Sequence, residues 1–351
     1  MSTAAPARAE AQPGTAARRP AMLAAGLVLL LALLAVTAFV SVVLGTRGVG
    51  PGAIWAAFTD YDPDATGQTV IRELRVPRTI VGLLAGAALG LAGALLQGLT
   101  RNPLADPGIM GINAGAGAAM VTAITVFGAG LERSGYLWFG FLGAAVATAI
   151  VYGVASLGRE GATPVKLALA GAAVSAGLFS VTSGVIMMNV EALNQLRFWQ
   201  VGALAGRYWP VVEQTAPFLA LGIVAALLAG RALNGLALGD DVAVALGQNV
   251  VRTRLMLFAV VVVLAGAATA ACGPIVFVGL VMPHLARALC GPDYRWVLPY
   301  TALVSPIIVL MADVVGRLVV QPSELQVGVV LGVLGAPAFI VLLRRRELAQ
   351  L

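Results

Sequence analysis

Charged residues are scarce in this chain of 351 residues. They make up 11% of it, whereas 60% of the residues are hydrophobic. Soluble domains are close to half apolar and a quarter charged. The composition therefore predicts a membrane protein whose length goes into spanning helices rather than soluble domains.

Lysine, histidine and cysteine are almost absent as well. A phosphate-binding P-loop needs Gly-Lys-Ser/Thr, but the one lysine, Lys166, is followed by Leu167, which excludes ATP hydrolysis by that route. One histidine, His284, and two cysteines, Cys272 and Cys290, are too few ligands for a metal or iron–sulfur site. The cysteines are separated by roughly 27 Å if they share a helix, so free thiols are expected. We expect no cofactor and no enzymatic activity.

Uncharged runs mark the predicted spanning helices. Eight of them supply the roughly 17–25 residues that a helix needs to cross a bilayer; span nine, for example, is expected between Trp296 and Asp313. One further run, between Arg254 and Arg287, has 32 uncharged residues and contains "ACGPIVF". Because a Gly-Pro pair breaks a helix, this run is divided into two spans, which gives ten.

Both ends of the chain are rich in arginine, so both are expected in the cytoplasm, which requires an even number of spans. We therefore predict an all-α membrane protein with ten transmembrane helices in residues 21–343. A disordered cytoplasmic tail, residues 1–20, precedes this domain, and a basic cytoplasmic tail, residues 344–351, follows it. The arginines of "RELRVPR" (72–78) then lie outside, against the general positive-inside bias.

Three connecting segments are long in this topology. Residues 231–254 form the largest cytoplasmic loop, and residues 45–78 and 189–213 form the largest external ones. The segment 189–213 mixes tryptophan and tyrosine with charged residues, which favours a short helix at the membrane interface.

Glycine recurs every fourth residue in span two, at Gly82, Gly86 and Gly90. Small residues at this spacing let helices approach closely inside a membrane, so we interpret span two as a buried central helix and not as a ligand site. A defined turn should follow it, because the segment after span two contains Asn-Pro and Asp-Pro steps. Asn102 and Asp106 are expected to cap the next spanning helix.

Asp313 and Arg317 are four residues apart and therefore lie on one helix face. An ionisable residue inside a membrane is a functional hypothesis by default. This pair is placed near the external end of span nine, where we expect it to be mostly solvated. A structural ion pair and a docking or pathway role both remain open.

The cytoplasmic segment "LNGLALGDDVAVALGQNV" (233–250) is longer than a turn requires. Gly239 and Gly247 divide it into two short helices, and Asp240 and Asp241 suit the N-terminus of the second, where acids offset the helix dipole. Such helices could rest on lipid headgroups or press into a groove of a partner protein. Composition does not decide between these alternatives.

Four long blocks, in this order, resemble the permease subunits of type II ABC importers, the iron–siderophore and cobalamin (FecCD-type) family. They are "RVPRTIVGLLAGAALGLAGALLQGLTRNPLADPGIMGINAGAG" (75–117), "LNGLALGDDVAVALG" (233–247), "CGPIVFVGLVMPHLAR" (272–287) and "ADVVGRLVVQPSELQVGVVLGVLGAPAFIVLL" (312–343). The resemblance implies the type II ABC importer permease fold. It also implies structural roles for these motif positions: Asn102, Pro103, Asp106, Pro107, Pro283, His284, Asp313 and Glu324.

The resemblance implies several partners. They are a second permease subunit in a homo- or heterodimer, two ABC ATPase subunits, an extracytoplasmic substrate-binding protein and the lipid bilayer, with no nucleic acid. It implies that residues 236–249 form coupling helices that contact the ATPase, through Gly239, Asp240, Asp241, Ala243, Leu246 and Gly247. The expected location is a bacterial cell (inner) membrane.

The resemblance also implies a reason for the external arginines. Arg75, Arg78 and Arg317 match family positions that receive acidic residues of the binding protein. The segment "GREGATPVK" (158–166) matches the cytoplasmic gate region, with Thr163 and the neighbouring Pro164 as gate residues. His284 itself is expected to make a hydrogen bond near a helix end.

The expected function is import of an iron–siderophore complex, driven by ATP that a partner subunit hydrolyses. Cobalamin and haem permeases share these motifs, and siderophores are favoured because their permeases are the more numerous. A transporter driven by an ion gradient is the main rival, and it would favour acids near the bilayer midplane. No uncharged run holds such an acid. A membrane scaffold without transport would not need the two short loop helices.

Overall fold

The computed structural model of the chain describes residues 20–128, 135–157 and 163–344. The basic tail after Arg344 and all but the last residue of the tail 1–20 lie outside the described residues. So do residues 158–162, which form much of the expected gate region.

The described residues form fifteen α-helices, two of which are joined without a break. A short helix, α3, continues through a π-helical turn, Val70–Arg75, into α4. The helices are α1 (Pro20–Val43), α2 (Pro51–Thr59), α3 (Thr66–Thr69), α4 (Val76–Thr100), α5 (Ile112–Phe127), α6 (Gly135–Ala155), α7 (Pro164–Met188), α8 (Val190–Gln200), α9 (Trp209–Leu228), α10 (Gly230–Ala237), α11 (Asp240–Ala245), α12 (Val250–Cys272), α13 (Val278–Cys290), α14 (Tyr294–Val319) and α15 (Val327–Arg344).

Ten of these segments match the predicted spans. Seven are long and apolar enough to cross a membrane: α1, α3 with α4, α6, α7, α9, α12 and α14. Three shorter apolar helices, α5, α13 and α15, occupy the remaining predicted places. The prediction of an all-α membrane protein with ten spans is therefore confirmed in its architecture, and α8 lies where a short interfacial helix was expected.

The long uncharged run after Arg254 breaks where the Gly-Pro pair stands. Helix α12 ends at Cys272, Gly273 adopts a φ of +75°, and α13 begins at Val278. No residue with a side chain could replace Gly273, because its Cβ atom would lie 2.0 Å from the carbonyl oxygen of Trp199. The division of this run into two spans is confirmed.

Helix α4 lies at the centre of the bundle, and most of its residues are buried. A Cβ atom on Gly86 would lie 2.7 Å from Cα of Pro306 in α14, and one on Gly93 would lie 1.9 Å from the carbonyl oxygen of Gly279 in α13. The glycines thus bring the α4 backbone into contact with two neighbouring backbones. The prediction of a close-packed, buried span two is confirmed.

Candidate functional site: an external arginine cluster and a cytoplasmic loop

Three buried charged residues lie together at the end of the bundle that the predicted topology places outside, here called the external end. The carboxylate of Asp313 accepts hydrogen bonds from Arg78, at 2.7 Å and 3.0 Å, and also from Arg317. Asp313 is 0% exposed and Arg317 is 2% exposed. The expectation that the Asp313–Arg317 pair is mostly solvated is wrong. Helix α14 continues past Asp313 to Val319, with Arg317 in its last turn, and both side chains are buried against neighbouring helices.

Helix α1 covers this ion pair. Arg317 donates to the carbonyl oxygens of Ser41, at 2.8 Å, and Leu44, at 2.9 Å. It also donates to the Ser41 hydroxyl, which in turn lies 2.9 Å from the hydroxyl of Thr79 in α4. The charges of Arg78 and Arg317 are therefore satisfied inside the protein, by one carboxylate and by the end of a neighbouring helix.

Arg75 also binds the C-terminal end of α1. It donates to the carbonyl oxygens of Val43 and Arg47, each at 2.5 Å. The last carbonyls of a helix have no partner within it and carry partial negative charge, so a guanidinium is favourable there. Gly45 lets the guanidinium approach, because a Cβ atom at this position would lie 2.5 Å from Nη2 of Arg75.

The arginines also line a cavity of about 400 Å³. Its charged lining consists of Arg47, Arg75, Arg78, Arg317 and Glu324. Glu324 precedes α15 and accepts a hydrogen bond from Arg78 at 2.7 Å, with its side chain 28% exposed. Four arginines on the wall outnumber two carboxylates, Glu324 on the wall and Asp313 behind it, so the cavity is electropositive and suited to an acidic group. It holds two of the three arginines of "RELRVPR", Arg75 and Arg78, that the positive-inside bias left unexplained.

The loop of residues 231–254, which the predicted topology places in the cytoplasm, forms the two short helices that the sequence predicts. Gly239, with φ +116°, separates α10 from α11, and Gly247, with φ +82°, follows α11. Asp240 and Asp241 lie in the first turn of α11, as expected. The loop has two different faces. Three apolar side chains are buried, Leu233, Leu236 and Ala243, whereas four are exposed, Leu238, Val242, Val244 and Leu246.

Two anchors hold this loop to the bundle, and sequence reasoning found neither. Asp240 accepts hydrogen bonds from Arg101, which follows α4, and from Arg254 of α12, the latter at 2.9 Å. Asp240 therefore contacts two arginines rather than capping α11, whose N-cap is Gly239. Sequence spacing could not reveal the contact between Arg101 and Asp240, because the two residues are 139 positions apart.

The second anchor joins α10 to the start of α14. Asn234 donates to the Asp293 carboxylate at 2.6 Å and accepts from the Tyr294 amide at 2.9 Å. Hydrogen bonds from the Arg295 side chain, followed by the one from Asn234, lower the pKa of Asp293 to about 2. Because Asp293 stays ionised throughout the physiological range, this anchor should not respond to pH.

The turn after α4 differs from its expected role. Asn102 accepts from the Leu104 amide at 2.9 Å, and Asp106 accepts from the Gly108 amide at 2.7 Å. Asp106 thereby caps the 3₁₀-helix Pro107–Met110, while α5 begins only at Ile112, after Gly111. The prediction of a cap for the next helix is confirmed for Asp106, although that helix is the short 3₁₀-helix and not α5, and it is wrong for Asn102, whose oxygen is used within the turn. Pro103 and Pro107 lie in these same turns.

Asp106 also lies deeper than the sequence suggests. A Cβ atom on Gly279 would lie 3.1 Å from the Asp106 carboxylate and 3.2 Å from the carbonyl oxygen of Leu89, which is near the middle of α4. A connecting segment can re-enter the bundle, so the absence of acids from the uncharged runs did not exclude a carboxylate at this depth. The uncharged runs hold no acid, as stated, but the connecting segment brings Asp106 close to the middle of α4.

The remaining predicted positions lie apart from both sites. His284 and Pro283 are in α13, where His284 Nδ1 lies 2.8 Å from the carbonyl oxygen of Leu280. The predicted hydrogen bond is present, but His284 lies in the middle of α13 and not near a helix end. Thr163 is the N-cap of α7 and accepts from the Lys166 amide at 3.4 Å, and Pro164 is the first residue of that helix.

A bundle of ten apolar helices with a basic external cavity and a two-helix cytoplasmic loop defines a multi-pass membrane protein of the transport permease class. The FecCD transport family matches residues 33–345, and the chain belongs to this family.

Known relatives align over nearly the full chain. The chain is 45% identical over 317 residues to the ferric enterobactin transport system permease protein FepD of Escherichia coli K12, covering 90% of this chain and 94% of FepD. It is 41% identical over 319 residues to the probable siderophore transport system permease protein YfiZ of Bacillus subtilis, covering 91% and 95%. Among solved structures, an inward-facing transporter of the metal-chelate ABC type superposes with a TM-score of 0.79 at 29% identity, covering 92% of this chain and 99% of that one.

Proposed function

We propose that this chain is the membrane-spanning permease subunit of an ATP-driven importer of ferric siderophores in a bacterial cell membrane. In this proposal it pairs with a second permease subunit, and both termini lie in the cytoplasm. The chain forms the pathway and transmits force, while two partner ATPase subunits hydrolyse ATP. A binding protein delivers the chelate from outside, and Thr163 and Pro164 lie at the cytoplasmic gate.

The observation that carries the proposal is the two-faced cytoplasmic loop, in a chain of the FecCD family. Leu233 and Leu236 fix α10 to the bundle, whereas Leu238 and Leu246 remain 66% and 64% exposed. The anchors at Asp240 and Asn234 hold these exposed side chains in a defined position. An ordered apolar surface of this kind favours a protein groove over lipid headgroups as its contact, so we assign it to the ATPase.

The external cavity supports the docking part of the proposal. Its arginines are held in place by Asp313 and by the end of α1, and hydrogen bonds from a preorganised arginine to a carboxylate are strong. We assign the cavity to acidic side chains of the binding protein. Arg75 and Arg78 contribute from the start of α4, and Arg317 contributes from α14.

Ferric siderophores are the proposed substrate class because the two relatives described above are named for enterobactin and siderophore transport. The test is uptake into vesicles that contain this permease and a candidate ATPase, with a binding protein loaded with radiolabelled ferric siderophore, cobalamin or haem. We expect ATP-dependent uptake of the siderophore alone. Preferred uptake of cobalamin or haem would change the substrate, and uptake without an ATPase would contradict the class of transporter.

Docking of the binding protein should depend on Arg75. Arg75→Gln removes its charge but can keep a hydrogen bond to the α1 carbonyls, whereas a reversal at Arg317 would also break a buried ion pair. We expect docking about tenfold weaker, roughly 1.4 kcal/mol, with a larger loss at low salt because charge pairs are less screened there. The measurement is binding-protein affinity at two ionic strengths.

The matched control is Arg72→Gln. Arg72 is an exposed arginine on the same segment, but it stacks over the ring of Tyr61, 4.4 Å from its centroid, and does not line the cavity. Docking should be nearly unchanged in this variant. Equal losses in the two variants would mean that general positive charge, not the cavity, attracts the partner.

A further inference from the structure

Helix α4 connects the two sites described above. Its external end carries Arg78, which binds Asp313 and Glu324 beside the cavity. Its cytoplasmic end is followed directly by Arg101, which binds the loop. The helix has 25 residues between these ends, a length of roughly 37 Å.

Arg101 holds both helices of the loop with one side chain. Its Nε donates to the carbonyl oxygen of Leu236 in α10 at 2.9 Å, and its Nη2 donates to Asp240, the first residue of α11. The second arginine on Asp240, Arg254, belongs to α12. Arg101 is therefore the polar contact from the end of α4 to both loop helices, beside the packing of Leu233 of α10 against Gly98 of α4.

The backbone of Arg101 is unusual for its residue type. It is the C-cap of α4 with φ +47° and ψ +35°, a left-handed conformation in which glycine is the usual residue. A glycine would close the helix at lower conformational cost. An arginine in this place indicates that its side chain has a role, and its contacts identify that role as holding the loop.

The Arg101 side chain contributes little to the stability of the fold. The side chains of Arg101 and Asp240 are 41% and 44% exposed, and ion pairs at such a surface contribute about 0–1 kcal/mol. What the contact fixes is position, since it sets where α10 and α11 lie relative to the end of α4.

Helix α4 is continuous and closely packed along its length. The prolines that could bend it are absent beyond Pro77 in its first turn, and its glycines hold its backbone against α13 and α14. A displacement at one end is therefore passed to the other end and to these neighbours rather than absorbed by a kink.

We propose that Arg101 is a positioning residue that couples the cytoplasmic loop to α4, and that α4 thereby carries occupancy of the external arginine cavity to the ATPase surface. This inference rests on the proposed function, because it assigns a route between the docking cavity and the coupling loop.

The test is stimulation of ATP hydrolysis by the loaded binding protein in the reconstituted complex, expressed as the ratio of stimulated to basal rate for each variant. Arg101→Asn removes the guanidinium, and asparagine tolerates a left-handed backbone. We expect the ratio to fall close to one, while the affinity for the binding protein stays within about twofold of wild type because Arg101 lies at the opposite end of α4. Arg101→Lys, which can keep the ion pair, should restore part of the stimulation.

Arg254→Asn is the matched control. It removes the other ion pair of Asp240 but leaves the contact with α4, so at least half of the stimulation should remain. Equal losses in Arg101→Asn and Arg254→Asn, or full stimulation in Arg101→Asn, would overturn the proposal. If Arg101→Asn does not assemble, Asp240→Asn tests the contact from the loop side, and full stimulation in that variant overturns it too.

Measurements on the wild-type complex distinguish failure of the proposed function from failure of the route through α4. If the unmodified chain neither binds an ATPase nor shows ATP-dependent uptake, the proposed function fails. If the wild type is stimulated and Arg101→Asn is stimulated equally, only the route through α4 fails.

Discussion

Leu246→Glu is expected to abolish substrate uptake while the protein still inserts into the membrane. The Leu246 side chain is 64% exposed on the cytoplasmic loop, so the change should leave the internal packing intact. Burying a leucine at an interface contributes about 1.5–3 kcal/mol, and a carboxylate desolvated there without a partner costs more. A combined loss of about 3 kcal/mol weakens the contact roughly a hundredfold. The measurements are co-purification with the ATPase and ATP-dependent uptake.

Leu246→Met is the matched control for this prediction. Methionine keeps an apolar side chain of similar volume, so uptake should stay near the wild-type rate. Normal uptake in Leu246→Glu would show that the ATPase does not contact this face of α11. Loss of uptake in both variants would point to shape rather than apolar chemistry.

Gly239 is a less decisive target than Leu246. Its φ of +116° and ψ of +154° lie in a region that is essentially restricted to glycine. Any side chain there would strain the backbone between α10 and α11 by roughly 1–3 kcal/mol. Loss of uptake after a change at Gly239 would therefore not distinguish a lost contact with the partner from a rearranged loop.

The spanning helices could be predicted because lipid places one requirement on every residue of a span. A helix at membrane depth must be apolar along its length, so charges mark its limits, and a Gly-Pro pair marks a break within it. The break after Cys272 and the short helices around Gly239 were found in this way. These features depend on local sequence, which the chain shows directly.

The external cluster could not be predicted, because its contacts join distant segments. Arg78 and Asp313 are 235 residues apart, and neither position indicates the other. The same rule that located the helices failed here: Asp313 was taken as the end of a span, although α14 continues beyond it to Val319 and its carboxylate is paired with Arg317. From the residues alone, only the Asp313–Arg317 pair was visible, at helical spacing. The family resemblance grouped Arg75, Arg78 and Arg317 but did not indicate that Asp313 joins Arg78 to Arg317.

A related failure concerns the loop. Its two helices follow from its own glycines and acids. Its attachment depends on contacts between distant residues, Arg101 with Asp240 and Asn234 with Asp293. Local sequence thus predicted the shape of the candidate coupling surface, and the folded structure was needed to show what holds it in place.

Asp313→Asn is expected to destabilise the folded protein by about 3–5 kcal/mol. Asp313 is 0% exposed and is the carboxylate shared by Arg78 and Arg317. Removing one partner of a buried ion pair leaves an uncompensated charge in a medium of low dielectric. The asparagine has nearly the same shape, so the loss measures charge rather than packing. The experiment is thermal or denaturant unfolding of the purified protein in detergent.

Two further variants decide how the arginines are neutralised. Glu324→Gln removes the partly exposed partner of Arg78 and should cost less than Asp313→Asn, because the Glu324 side chain is 28% exposed whereas Asp313 is fully buried. Arg317→Gln combined with Asp313→Asn should be less destabilising than the sum of the single changes, because it removes both charges of one buried pair.

Wild-type stability in Asp313→Asn would instead mean that water in the cavity solvates the arginines. Arg78 and Arg317 would then bind an incoming acidic group only after losing that hydration. Asp313 would not be the group that holds them in position for binding.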